Sequence, residues 1–248
     1  VGLEPSYLSV MKFSIEQSDG VTAVSRFLKE KTLINYKIEK DIQVIPNFVD
    51  IDKYQRIVSP DICKRLASHG EKILIHVSNF RPLKRVHDVI KIFQIVRQKI
   101  PSKLILVGDG PDRSSCEQLA RDLKVFDDVK FLGKQIELVP LLSTANLFLI
   151  PSQSESFGLS ALEAMACELP VIASSVGGLP ELIVHGETGY IAEIGDIERM
   201  AKYTVELLTN ETKYKIFAAS SRKRAVEEFN KKRIVDMYED HYNRVLAK

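Results

Sequence analysis

The chain lacks most of the signals that would place it in a class at once. Its three cysteines, Cys63, Cys116 and Cys167, are widely separated and form no C-x-x-C pair, which excludes a disulfide framework and a cysteine zinc site and reads as reduced thiols. The five histidines, at 69, 76, 87, 185 and 241, have no zinc-ligand spacing, and His76, inside a candidate strand, reads as a core residue. No apolar run approaches the ~20 residues that span a bilayer. No basic stretch followed by an apolar one opens the chain, so a cytoplasmic protein without a transmembrane segment is expected. With 35 Lys and Arg against 33 Asp and Glu, the net charge of +2 sets up no field for nucleic acid or anionic lipid. Any anion site must be local. Repeats and low-complexity tracts are absent as well.

What is present points to an α/β protein. The 248 residues amount to about 1.65 domains at ~150 residues each. The 45% of hydrophobic residues can bury a sizeable core, which excludes disorder as the main state. From Lys72 onward short β-branched runs alternate with helical patterns, the signature of βαβ units around a doubly wound parallel sheet. The predicted strands are Ile73 to Val77, Lys103 to Val107, Val129 to Leu132, Leu147 to Ile150, Val171 to Ala173 and Gly189 to Ala192, mostly continuous apolar runs as expected under helices on both faces. Val86, Val89, Ile90, Phe93, Val96 and Ile100 recur at helical spacing. Upstream, a helix from about Tyr7 to Gln17, a strand Val21 to Val24, a helix from about Arg26 and a strand Ile42 to Ile45 are too few to close a domain. After Asp196 three helical segments follow, the last about Lys231 to Ala247.

The sharpest motif is Ser154-Glu155-Ser156-Phe157-Gly158-Leu159-Ser160-Ala161-Leu162-Glu163, which follows the strand ending at Ile150-Pro151 and runs into a helix. Gly158, Leu159 and Ser160 would present unpaired amides at that helix start, an anion site by construction. Glu155 and Glu163, eight apart, would bracket it, suiting a ligand with hydroxyls on either side of its phosphates. Two Glu at that spacing also arise by chance, and a Glu early in a helix complements the dipole for about 0.3–1 kcal/mol. The complete string after a strand outweighs that.

A second motif, Ser78-Asn79-Phe80-Arg81-Pro82-Leu83-Lys84-Arg85-Val86, stands at the C-terminal end of the first strand of the sheet, where ligands gather in open α/β sheets. Its cations suit a departing diphosphate; the plainer alternative is a solvated helix start, with Arg85 a simple surface charge. Val107-Gly108-Asp109-Gly110-Pro111 lacks the third glycine of a dinucleotide fingerprint, so Gly108 and Gly110 either border a base pocket or serve a tight turn. Asp50-Ile51-Asp52 imitates a metal-binding D-x-D but lies in the turn-rich Pro46-Asn47-Phe48-Val49-Asp50 boundary, where a helix cap is expected instead.

These strings resemble the retaining glycosyltransferases of family 4, which have the two-domain GT-B fold. Glu155 and Glu163 match the family's E-x7-E; Pro151-Ser152, Leu162-Glu163-Ala164-Met165-Ala166-Cys167 and Val176-Gly177-Gly178-Leu179-Pro180-Glu181 also look like its donor domain. The resemblance implies that Glu155, Phe157 and Gly158 face the sugar, Ser156 lies beside them, Leu159 and Ser160 meet the phosphates, and Glu163 meets the ribose. It implies that Gly108, Gly110, Phe131 and Lys134 border the base pocket. The family has an Arg followed five residues on by a Lys in the second motif; Lys84 matches, whereas the Arg position is Asn79, with Arg81 two residues on, leaving Arg81 to phosphate or acceptor.

Asn79 to Val86, Phe13 to Ser25 and Phe131-Leu132-Gly133-Lys134-Gln135 resemble the subfamily of N-acetylglucosaminyl-malate synthases of bacillithiol biosynthesis. That implies transfer of N-acetylglucosamine from UDP-GlcNAc to L-malate with no metal and no other cofactor, Arg81, Lys84 and Glu155 being the catalytic groups. The alternatives are another family 4 transferase with a polysaccharide, glycolipid or inositol acceptor, and a non-catalytic nucleotide-binding module. A homo-oligomer is left open. The expected division is 1–49 as the end of an acceptor domain, 50–224 as the donor domain, and 225–248 as a helix crossing back. The family's N-terminal glycine-rich loop would precede Val1, so the chain is expected to be the donor-binding part of a larger enzyme and inactive by itself.

Overall fold

The computed structural model describes residues 5–57 and 59–247. The chain runs α1 (Pro5–Gln17), β1 (Thr22–Ala23), α2 (Arg26–Tyr36) and β2 (Gln43–Val44), then α3 (Pro60–Leu66), β3 (Lys72–Val77), α4 (Val86–Arg97), β4 (Ser102–Val107), α5 (Arg113–Asp122) and β5 (Val129–Gly133). It continues with α6 (Val139–Thr144), β6 (Leu147–Ile150), α7 (Leu159–Ala166), β7 (Val171–Ser174), α8 (Leu179–Leu182) and β8 (Gly189–Ala192), and ends in α9 (Ile197–Thr209), α10 (Glu211–Glu228) and α11 (Lys231–Leu246).

Strands β3 to β8 form one six-stranded sheet of order β5-β4-β3-β6-β7-β8, every pair parallel. The chain starts at the centre with β3, builds outward through β4 to β5, and returns to lay β6 on the other side of β3. The reversal opens a crevice beyond the C-terminal ends of β3 and β6, where the connections before α4 and α7 diverge. Both motifs singled out in the sequence lie on those two connections.

Helices cover both faces. Alternate residues of the strands sort into two cores: Ile73, Ile75, Phe148 and Ile150 pack with Leu162 and Met165 of α7, while Leu74, Leu104, Leu106 and Leu149 pack with Val89, Ile90 and Phe93 of α4 and Leu207 of α9. This two-sided burial is why the strands read as unbroken apolar runs instead of alternating ones. Burial pushes the Cys116 and Cys167 thiols up to about 12, which keeps them protonated, and no cysteine among the described residues is bonded to another.

Upstream, β1 and β2 pair in parallel as a separate two-stranded sheet. Each is shorter than the four-residue run in the sequence. Val21 and Ala23 accept from the amides of Gln43 and Ile45, but no third strand adjoins the pair among the described residues. At the other end of the chain α10 buries Ala225 in the same core as α7. The chain breaks at Phe229-Asn230, and α11 crosses to β2, where His241 Nδ1 and Gln43 Oε1 are 2.9 Å apart and Arg244 donates to the same oxygen. The two crossing segments touch: Val49 N–H donates to the Phe229 carbonyl at 2.9 Å, and Val49 bridges Asn230. Among the described residues no helix is long and apolar enough to cross a membrane.

His76 is fully buried in β3, its two ring nitrogens 2.8 Å from the Leu149 carbonyl and 2.7 Å from Ser78 Oγ. Burial pushes its pKa down to about 4, against 6.5 for the free side chain. The unfolded chain therefore binds the proton first on acidification. His76 contributes stability that is present above pH ~6.5 and is lost as pH falls toward 4, by up to about 3 kcal/mol. Denaturant unfolding of the wild type and His76→Gln between pH 7 and 4.5 checks this. The variant is expected to have the flatter profile, and equal slopes would refute the assignment.

Candidate functional site

The crevice is built by two loops that reach across from neighbouring strands. After β3, Pro82–Lys84 turn as a single 3-10 unit and Arg85 takes a left-handed conformation (φ 51°), which aims Lys84 toward the loop after β6. There Lys84 Nζ lies 2.5 Å from Glu155 Oε1, with the two side chains only 19% and 11% exposed. The same carboxylate oxygen accepts from Ser152 Oγ at 3.0 Å. The buried Ser152 is held in turn by Ser174 Oγ on its carbonyl, and the Leu83 carbonyl accepts from the Gln153 amide at 2.8 Å. Arg85, the residue before α4, bonds Asp88 in that helix's first turn at 2.5 Å, outside this network.

Helix α7 begins at Leu159 with Gly158 as its cap residue, and no side chain caps it. The amides of Gly158, Leu159 and Ser160 thus point out of the first turn without helical acceptors. Because the helix starts at Leu159, Glu163 stands just over one turn along it. Its carboxylate faces the Tyr54 hydroxyl, on a different side from Glu155. Burial raises the Glu163 pKa, opposed by the Tyr54 bond and the Lys53 charge; burial and the Glu163 charge push Tyr54 up as well. The turn that carries Tyr54 is fixed by Arg222 of α10, which donates to the carbonyls of Ile51, Tyr54 and Ala166.

Asn79 and Arg81 are exposed at a cleft of ≈ 350 Å³ that also receives Lys84, Ser154, Glu155 and Ser156, and Phe27 and Leu28 of α2 line it too. Arg81 has no ion-pair partner among the described residues. The Phe157 side chain is turned away: it is buried and packs edge-on against Phe229 at 5.7 Å, so only its backbone can meet a ligand in the crevice.

The loop Gly108 to Gly110 lies flat on the loop after β3. A Cβ on Gly108 would stand 1.7 Å from the Ser78 carbonyl oxygen, and one on Gly110 2.7 Å from that of Phe80. Both glycines therefore have a packing role. Phe131 is half-buried with its ring 6.3 Å from that of Phe126, and Lys134 is exposed; the Gly108 amide donates to the Gly133 carbonyl at 2.8 Å, which joins this turn to the rim of the crevice.

Asp50 accepts from the amides of Asp52 and Lys53, both at 3.1 Å, and these bonds hold its carboxyl below the usual range. It caps a turn and not the expected helix. Among the described residues no cluster of three or more His, Cys, Asp or Glu could hold a metal ion.

Sequence reasoning missed Tyr54 and named Ser152 and Gly177 only within matching strings, without a role for either. Gly177 has φ +59°, and the Gly178 amide donates to the Glu155 carbonyl at 3.0 Å. The signals were present: a serine two residues after a buried strand, an aromatic after the boundary turn, and a Gly-Gly pair after β7.

A sequence model described as "Glycosyl transferases group 1" matches residues 60–224, and the chain belongs to that family. Among curated relatives, the N-acetyl-alpha-D-glucosaminyl L-malate synthase of Bacillus anthracis is 43% identical over 247 residues, covering 99% of this chain and 65% of that one. The D-inositol 3-phosphate glycosyltransferase of Mycolicibacterium smegmatis is 34% identical over 187 residues, covering 71% of this chain and 41% of that one. Among solved structures, sucrose-phosphate synthase from Thermosynechococcus elongatus superposes with a TM-score of 0.87 at 25% identity, over 98% of this chain and 62% of that one. Anabaena Alr3699/HepE, in complex with UDP and glucose, gives 0.86 at 24% identity, over 99% and 70%. The fold is that of the GT-B glycosyltransferases. The chain spans 41% to 70% of the length of these proteins.

Proposed function

We infer that the chain supplies the nucleotide-sugar side of a retaining glycosyltransferase that moves N-acetylglucosamine from UDP-GlcNAc to the hydroxyl of L-malate. The observation that carries this is the uncapped start of α7, flanked on one side by the Lys84–Glu155 pair and on the other by Glu163. The amides of Leu159 and Ser160 take the diphosphate, Glu163 the ribose hydroxyls, and Glu155 with the Phe157 and Gly158 amides the sugar; Gly108, Gly110, Phe131 and Lys134 border the uracil. Residues 50–224 form the donor domain, and 1–49 with 225–248 belong to the acceptor side.

In the reaction the bond between the sugar carbon and the β-phosphate oxygen breaks as the malate oxygen approaches from the same face. The malate proton passes to the departing phosphate. Lys84 and the α7 amides stabilise the charge that develops there, and Arg81 faces the acceptor carboxylates across the cleft. This scheme requires neither a protein nucleophile nor a metal. The support for malate is the 43% identity to the Bacillus anthracis synthase.

Calorimetric titration of UDP tests the donor assignment. Glu163→Ala is expected to cost about 1.5–3 kcal/mol of affinity, the worth of hydrogen bonds to a charged group. Equal affinity in both proteins would leave a nucleotide module without a ribose-binding carboxylate. The likeness to an inositol-phosphate transferase keeps a second acceptor in view; assaying the full-length enzyme with malate and with inositol phosphate separates the two.

A further inference from the structure

The start of α2 is fastened to the crevice by bonds that span most of the chain. Ser25, the helix cap, accepts from the Leu28 amide at 3.1 Å and donates its hydroxyl proton to the Ser156 carbonyl at 2.7 Å. The next two amides, of Arg26 and Phe27, donate to the two carboxylate oxygens of Glu181, each at 2.9 Å. A carboxylate at a helix N-terminus satisfies orphan amides and complements the dipole. Here it comes from α8, on the far side of the crevice.

Glu181 is itself held. Arg224 of α10 donates to the carbonyls of Glu181 and Leu182, both at 2.8 Å. The same segment binds the sugar-facing loop, since the Gly178 amide donates to the Glu155 carbonyl. The backbone of Glu155-Ser156 is thus gripped from one side by Gly178 and from the other by Ser25, and Glu181 joins the two grips. Phe27, whose amide Glu181 holds, lines the cleft opposite Arg81 and Lys84.

We propose that Glu181 is a positioning residue for the acceptor side of the reaction: with Ser25 it fixes α2 against the Glu155–Ser156 loop and so sets the width of the cleft between donor and acceptor. Glu181 touches neither substrate. It acts through the helix it caps and the loop that helix holds. This rests on the donor-site assignment above.

Two measurements test it. Amide exchange on the ligand-free chain reports the latch directly: Glu181→Gln is expected to speed exchange at Arg26 and Phe27 by about tenfold or more, the worth of a charge-assisted hydrogen bond. Steady-state kinetics of the full-length enzyme report its role. Misplacing reacting groups by ~1 Å costs about 100-fold, so kcat/KM for the acceptor is expected to fall about 10- to 100-fold in Glu181→Gln, and similarly in Ser25→Ala. The KM for UDP-GlcNAc and the affinity for UDP are expected to stay within about twofold. Unchanged exchange at the two amides overturns the latch. Faster exchange with unchanged acceptor kinetics overturns the positioning role, as does a matching loss of UDP affinity, which would mark a general loosening. A wild type that fails to bind UDP refutes the donor-site assignment instead, and the exchange result then still reports the latch.

Discussion

Replacing Lys84 by alanine is expected to weaken UDP binding by roughly 10- to 100-fold, and to lower kcat/KM of the full-length enzyme by about 10²–10³, the range seen when one group stabilising transition-state charge is removed. The reason is position. Lys84 is the cation delivered by the loop after β3 onto the loop after β6, and it is four-fifths buried beside Glu155. Its removal also strands the Glu155 carboxylate, which keeps only the Ser152 hydroxyl, at about 1–3 kcal/mol of folding stability. Lys84→Met with Glu155→Gln removes both charges, so it is expected to recover most of that stability and none of the activity. Calorimetry with UDP, thermal melts and initial rates check the three parts. Retention of UDP affinity within twofold in Lys84→Ala would refute the phosphate role.

Gly177→Ala is expected to be strongly damaging for the replacement of a single hydrogen by a methyl group, as Gly108→Ala is for the same reason. Its Cβ would stand 1.7 Å from the Glu155 carbonyl oxygen, and its φ of +59° already disfavours a side chain. The conformational strain is about 1–2 kcal/mol, and displacing the packed loop adds ~1–3 kcal/mol. For a chain of this size the melting temperature falls by about 5–15 °C. Gly186→Ala is the control, because φ is +85° there but nothing lies within 4 Å of the added carbon. The difference between the two melts isolates the clash. If Gly177→Ala melts no lower than Gly186→Ala, the close approach to Glu155 is not a constraint.

The six-stranded sheet was legible because most of its strands are buried on both faces and so read as largely apolar runs, the edge strand β5 with its exposed Lys130 being the exception. The order of those strands was legible only as a class. The pairing of Lys84 with Glu155, 71 residues apart, depends on β6 lying beside β3, and no local pattern encodes that adjacency. Glu181 and the Arg26 amide are 155 residues apart and equally silent in one dimension. Phe157 shows the opposite case. Its place in the motif put it beside the sugar, while the burial of its side chain against Phe229 follows from where α10 ends. Glycines 108 and 177 announced turns, but which backbone they approach emerges only from the assembled loops.

The paired crossings at Val49 and Phe229-Asn230 have a mechanical consequence. The polypeptide passes twice between the two sheets, and it does so at one place, with the two passes bonded to each other. Two separate tethers would resist rotation; two tethers joined at a point make a pivot. Rotation of the two-stranded sheet and its helices against the six-stranded one would turn about that point, and it would first have to break the Ser25 and Glu181 bonds that hold α2 at the crevice.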